Sequence, residues 1–262
     1  MRTINGLLWI VFVLALIASL LVPGVWFYTA AHLPNSLESA ADIELHLRKS
    51  IESERQSIQY NKRQVDRDDV SWPRPDFSTL PRPLVALYVT ETGCPTYFDT
   101  PRDSALEWNK RVMNSLMDKQ MDGDGACELI FARRLARRLG AKSPMQIAVA
   151  ADRVHAFLKK DELVAFDLHS MQFDQGLIGV EAAGPVLLQR KLLEMNLAEL
   201  AEFQLGIPPH DYWEDVRICK NASLLKQSRD NVLDRLARMG HVTTDASAAA
   251  IAVPVRCLSV KR

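Results

Sequence analysis

The chain opens on an apolar block. From Thr3 to Asn35 there is no Lys, Arg, Asp or Glu, and Leu7 to Val22 is unbroken apolar apart from Ser19. With Pro23–Tyr28 the block reaches roughly twenty residues, the length a helix needs to cross a hydrocarbon core of ~30 Å. Trp26, Phe27 and Tyr28 close it with rings that favour the headgroup layer, and Arg2 places positive charge at the other end. The run is longer than the ~7–15 residues of a cleaved signal peptide, and Tyr28-Thr29-Ala30-Ala31 is a poor cleavage site. The pattern therefore predicts a cytoplasmic tail over 1–6 and an uncleaved transmembrane signal anchor over 7–28. The rest of the chain is expected outside the cytoplasm, since no second run of that length occurs.

Beyond the block the period becomes helical. Ile43, Leu47, Ile51, Ile58 and Val65 recur at intervals of four and seven over 36–70, predicting a helix capped by Asn35 or Ser36. So narrow a stripe suits a helix lying on its own domain, with a short coiled coil as the alternative. Pro73, Pro75, Pro81 and Pro83 mark an extended connector, so 29–80 reads as stalk helix and connector. Leu84–Val89 is apolar throughout, too short for periodicity to separate strand from buried helix. Helices are predicted over 127–139 ending at Gly140, over 143–158 with Pro144 in the first turn, and over 161–168. Further ones are predicted over 179–193, 196–205, 224–239 closed by Gly240, and 245–253. The fold class is mainly α.

Composition agrees with a folded domain. The 262 residues are 48% hydrophobic, with 32 basic and 32 acidic side chains. That balance excludes wholesale disorder and gives no basic excess for nucleic acid. The four cysteines, Cys94, Cys127, Cys219 and Cys257, fit no zinc spacing and read as possible disulfides in an oxidising compartment. Three connectivities are open; the working pairing is Cys94 with Cys127 and Cys219 with Cys257.

Two features bear on chemistry. Glu91 ends the apolar run before the turn Thr92-Gly93-Cys94-Pro95, where a partly desolvated carboxylate suits proton abstraction. The competing reading is a helix-end or salt-bridged glutamate. Arg133, Arg134, Arg137 and Arg138 fall within an arc of about 140° on one helix, where like charges repel unless an anion neutralises them. Their forks suit phosphate or carboxylate. A solvated basic face near anionic lipid headgroups is the alternative. Asp167 and His169 lack a third metal ligand, Asp122-Gly-Asp124 lacks the remaining ligands of a calcium loop, and no cofactor motif occurs.

Gly179-Val-Glu181-Ala-Ala183, Asn196-Leu-Ala-Glu-Leu200, Gly206-Ile-Pro208, Asn231-Val-Leu-Asp-Arg-Leu236 and Gly240-His-Val-Thr243 follow one another in a recognisable order and spacing. Together they resemble the C-terminal half of the family 51 glycosyltransferases, the peptidoglycan transglycosylase domains of class A penicillin-binding proteins and their monofunctional relatives. The likeness extends back through Lys160-Asp-Glu-Leu163, Phe131-Ala-Arg-Arg-Leu135 and Val89-Thr-Glu91, covering 81–255 and leaving 256–262 as a tail. It implies a lysozyme-like helical domain behind a membrane anchor, with Glu91 as base for the acceptor sugar and Glu181 as a motif position.

The family's catalytic motifs are thin here. After Glu91, Thr92 replaces an Asp; the hydroxyl- and amide-rich second motif becomes Gly123-Asp-Gly-Ala-Cys-Glu-Leu-Ile130. The Arg-Lys-x-x-Glu motif falls on Ser143–Ile147, and Tyr-Leu-Asn becomes Asp167-Leu168-His169. Deleting one group that stabilises a developing anion costs on the order of 3–4 kcal/mol. The resemblance thus implies a catalytically degenerate, transglycosylase-like protein of the bacterial inner membrane. It would bind a lipid-linked peptidoglycan precursor, a glycan strand or a cell-wall synthesis partner, with the arginine quartet lining a cleft shared with Glu91. The alternatives are an active divergent polymerase with Glu91 as base, and a scaffold that recruits a partner through the 36–70 helix. The divalent cation used by the family has no ligand set among these residues.

Overall fold

The computed structural model describes residues 21, 23–35, 37–61, 77–116, 126–173, 177–207 and 221–256. Of the anchor expected over 7–28, residues 7–20 and 22 lie outside that set. So do Ser36, Val65, the Asp122–Gly125 turn, Pro208, Cys219 and Cys257. No helix among the described residues is long and apolar enough to cross a membrane. The described chain is mainly helical.

A helix over 23–31, α1, turns Trp26 toward the core and leaves Val25, Phe27 and Tyr28 exposed. Asn35 does not cap the next helix. Its amide Nδ2 donates 2.7 Å to the Leu139 carbonyl, and the cap passes to Ser39, whose Oγ accepts from the Asp42 N–H at 3.1 Å. Helix α2 (Ala40–Asn61) buries Ile43, Leu47 and Ile51, the first three positions of that stripe, within the chain's own domain.

Leu84–Val89 is helical. Pro83 sits in the first turn of α3 (Arg82–Glu91), where its missing N–H costs nothing, and nearly every side chain of the run is buried. Burial on all sides is why no period shows in the sequence. Helix α4 (Ala105–Leu116) was not expected, although Ser104-Ala-Leu-Glu107 spells a capping box: Glu107 Oε2 accepts from the Ser104 N–H, and Ser104 Oγ from the Glu107 N–H.

Helix α5 (Ala126–Arg138) stops at Gly140, whose φ of +90° suits glycine alone. Helix α6 (Pro144–Phe157) starts from Ser143, which shares a capping box with Gln146, and α7 (Lys160–Ser170) follows at once. A two-residue antiparallel ladder, β1 (Gln172–Phe173) on β2 (Leu177–Ile178), leads into α8 (Val180–Leu188). The single helix expected over 179–193 is broken. Gln189 takes a left-handed conformation, and a 3-10 turn at Leu192–Glu194 follows, which lets Arg190 reach the Glu199 carboxylate at 3.1 Å.

Helices α9 (Leu197–Leu205), α10 (Ala222–Arg238) and α11 (Thr244–Ala252) pack together. Among them Arg229 is 0% exposed, and its guanidinium donates to Glu202 (2.8 Å), Asp230 (2.9 Å) and the Val253 carbonyl (2.8 Å). Helix α5 packs on α6 and α7, and α3 on α9 and α10, so α3 and α5 bring the candidate residues into the middle of the fold.

Candidate functional site

Helix α3 carries Tyr88 and Glu91 three positions apart, hence on neighbouring faces about one turn from each other. Tyr88 points to α5 and α7. Its hydroxyl donates to Asp167 Oδ2 at 2.5 Å and accepts from Arg134 Nη1 at 2.6 Å, while Arg134 also reaches Asp167 Oδ2 at 3.2 Å. Donor and acceptor capacity of the phenol are both used, and three helices are joined by one charged cluster. Burial, reinforced by the Asp167 carboxylate, pushes the Tyr88 hydroxyl well above the usual phenol range. Burial also raises Asp167, with Arg134 and the Tyr88 hydrogen bond pulling the other way. Arg134 is raised too: Tyr88 and Asp167 outweigh its own burial. An ion pair would ordinarily lower its acid. Here Asp167 is fully enclosed whereas Arg134 reaches the surface, so the desolvation falls on the carboxylate.

Glu91 faces α10. Its Oε1 accepts from Arg235 Nη1 at 3.0 Å, and the side chain is 7% exposed. The turn that follows is tied twice. Gly93 adopts a φ of +84°, and Cys94 forms a disulfide with Cys127 at the start of α5, while His241 Nε2 lies 2.9 Å from the Pro95 carbonyl.

The arginine quartet does not act as one face. Arg134 belongs to the buried cluster, Arg138 Nη1 pairs with Glu54 Oε2 of α2 at 3.3 Å, Arg137 is exposed and Arg133 is half-buried. An arc of about 140° is too wide for one counter-charge to cover, so the acids of two different elements divide it. Glu91 pairs with Arg235 of α10. Glu181, in the first turn of α8, accepts from Thr79 Oγ1 at 3.1 Å, and its Oε2 lies 4.0 Å from His169 Nδ1. Gly179 before it has a φ of +86°, and a Cβ there would stand 2.6 Å from the His169 carbonyl oxygen. Among the described residues no group of three or more His, Cys, Asp or Glu side chains is placed to hold a metal ion.

No family model and no curated protein matches this chain.

Arg235 stands in the Asn231–Leu236 segment, but nothing in the sequence pairs it with Glu91, 144 residues away. Tyr88 and Asp167 were similarly hidden, one inside an apolar run and the other read only beside His169. The local signal for Asp167 was a charged residue on α7 where the flanking positions are all apolar, Phe166 and Leu168.

Proposed function

We propose that this protein is a membrane-anchored, extracytoplasmic relative of the peptidoglycan transglycosylases that binds a lipid-linked cell-wall precursor or glycan strand without efficient polymerisation. The ordered segments from Val89 to Thr243 support kinship, and those over 89–91, 131–135, 160–163, 180–183, 197–200 and 231–236 lie on helices of a mainly α domain. Leu21, Val25, Phe27 and Tyr28 stand exposed where the chain leaves its apolar block, which supports an anchor. The observation that carries the loss of turnover is the Glu91–Arg235 pair. The one candidate base is almost fully covered, and Oε1 is engaged by a guanidinium, which leaves little room for a sugar hydroxyl to approach at hydrogen-bond distance.

The test uses the full chain in detergent with a lipid-linked disaccharide. The expected result is no glycan polymer, together with a rise in melting temperature on adding the lipid. Exposed Arg137 is the place to weaken binding, since Arg134 and Arg138 already hold internal acids. Polymer that disappears in Glu91→Gln would establish the active-enzyme reading, and a lipid without effect on melting would remove the ligand.

A further inference from the structure

The end of the apolar block is tied to the tail of α5. Trp26 of α1 packs against the core, whereas Phe27 is 70% and Tyr28 66% exposed. A few residues on, Leu33, Pro34 and Leu37 line one small apolar hollow with Leu139, Ala141 and Ala150. Asn35 donates to the Leu139 carbonyl at 2.7 Å, and Ser50 of α2 to the Arg138 carbonyl at 2.9 Å. The turn between α5 and α6 is thereby fixed beside the place where two aromatic rings stand in the open. Rings left in water at that density mark a contact surface rather than an idle one.

The turn carries charge of one sign. From Leu129 to Ala151 the sequence holds Arg133, Arg134, Arg137, Arg138 and Lys142 and not one Asp or Glu. Arg134 and Arg138 are taken by Asp167 and Glu54. Arg137 and Lys142 are exposed and enter none of the ion pairs among the described residues; the exposed acids Glu38 and Glu52 belong to the α2 side of the corner. Amphipathic rings favour the headgroup layer, and cations beside them meet the phosphates of anionic lipid. We propose that Phe27, Tyr28, Arg137 and Lys142 form one face that rests on a bilayer of anionic phospholipid. This deepens the function argued above, on whose membrane placement it rests, by naming the lipid class and the side of the domain that meets it.

The full chain reconstituted into lipid discs, one set of phosphatidylcholine and one of phosphatidylcholine with phosphatidylglycerol, tests it by acetylation of lysines read by mass spectrometry. Lys142 should react about fivefold more slowly in the anionic discs, while exposed Lys191 reacts alike in both. Salt at about 0.5 M should erase the difference, and Arg137→Glu should reduce it. Chain that joins both kinds of disc yet labels equally at Lys142 overturns the face and leaves the anchor standing. So does a difference that Lys191 shares, or one that ignores both salt and Arg137→Glu. Chain that joins only the anionic discs supports the face and removes the anchor; chain that joins neither removes both. Protection of Lys142 that appears only when lipid-linked disaccharide is added assigns the two cations to the precursor and overturns the face.

Discussion

At the scale of single residues, stability and function pull on the same charges. Arg134 neutralises a fully buried acid, whereas Arg137 one turn on is exposed. Arg134→Met is therefore expected to cost about 3 kcal/mol, the penalty of leaving a buried charge unpaired, and Arg137→Met less than ~0.5 kcal/mol; urea unfolding of the two variants checks this. Asp167 also sets a pH dependence. Its folded value is raised above the ordinary 3.8, so the folded state holds the proton more tightly. Stability from this group is complete below that ordinary value and is lost as pH rises through the raised one. Asp167→Asn should lack this decline, which unfolding midpoints measured upward from pH 3 would reveal. Helical periodicity gave the arc of the quartet correctly but not its division, because angular position says nothing of which acids stand opposite.

Among the elements, punctuation was the most readable feature. Gly140 and Gly240 end their helices with φ of +90° and +76°, and Ser143 caps α6 through Gln146. Ser143→Ala is expected to cost about 1 kcal/mol. The glycines should divide by environment. Gly179→Ala meets both a positive φ and a carbonyl at 2.6 Å and should lose more than ~2 kcal/mol; Gly240→Ala has open space and should lose about 1. Thermal melts of the two variants separate the cases. What escaped the sequence were α3, buried all round so that its period vanishes, and α4, whose Ser104/Glu107 cap was legible but whose face carries only Trp108 and Val112 inward. The break at Gln189 escaped too, because it serves a contact to Glu199 rather than a local preference.

For the whole molecule, the contacts that decide the site join segments far apart: Glu91 to Arg235, Asn35 to Leu139, Cys94 to Cys127. Pairings of this range are set by tertiary geometry; for the disulfide the sequence left three connectivities open, of which the structure shows Cys94 with Cys127. Closing a loop of 33 residues, it should contribute about 3–4 kcal/mol, and the double variant Cys94→Ser with Cys127→Ser is expected to lose that much in denaturant titration. The two ends of α5 are both fastened to remote chain. Asn35 and Ser50 grip the Leu139 and Arg138 carbonyls at its tail, and Cys127 bonds the turn after Glu91 at its head. A pull on the N-terminal chain is thus delivered along one rod to the far side of the fold.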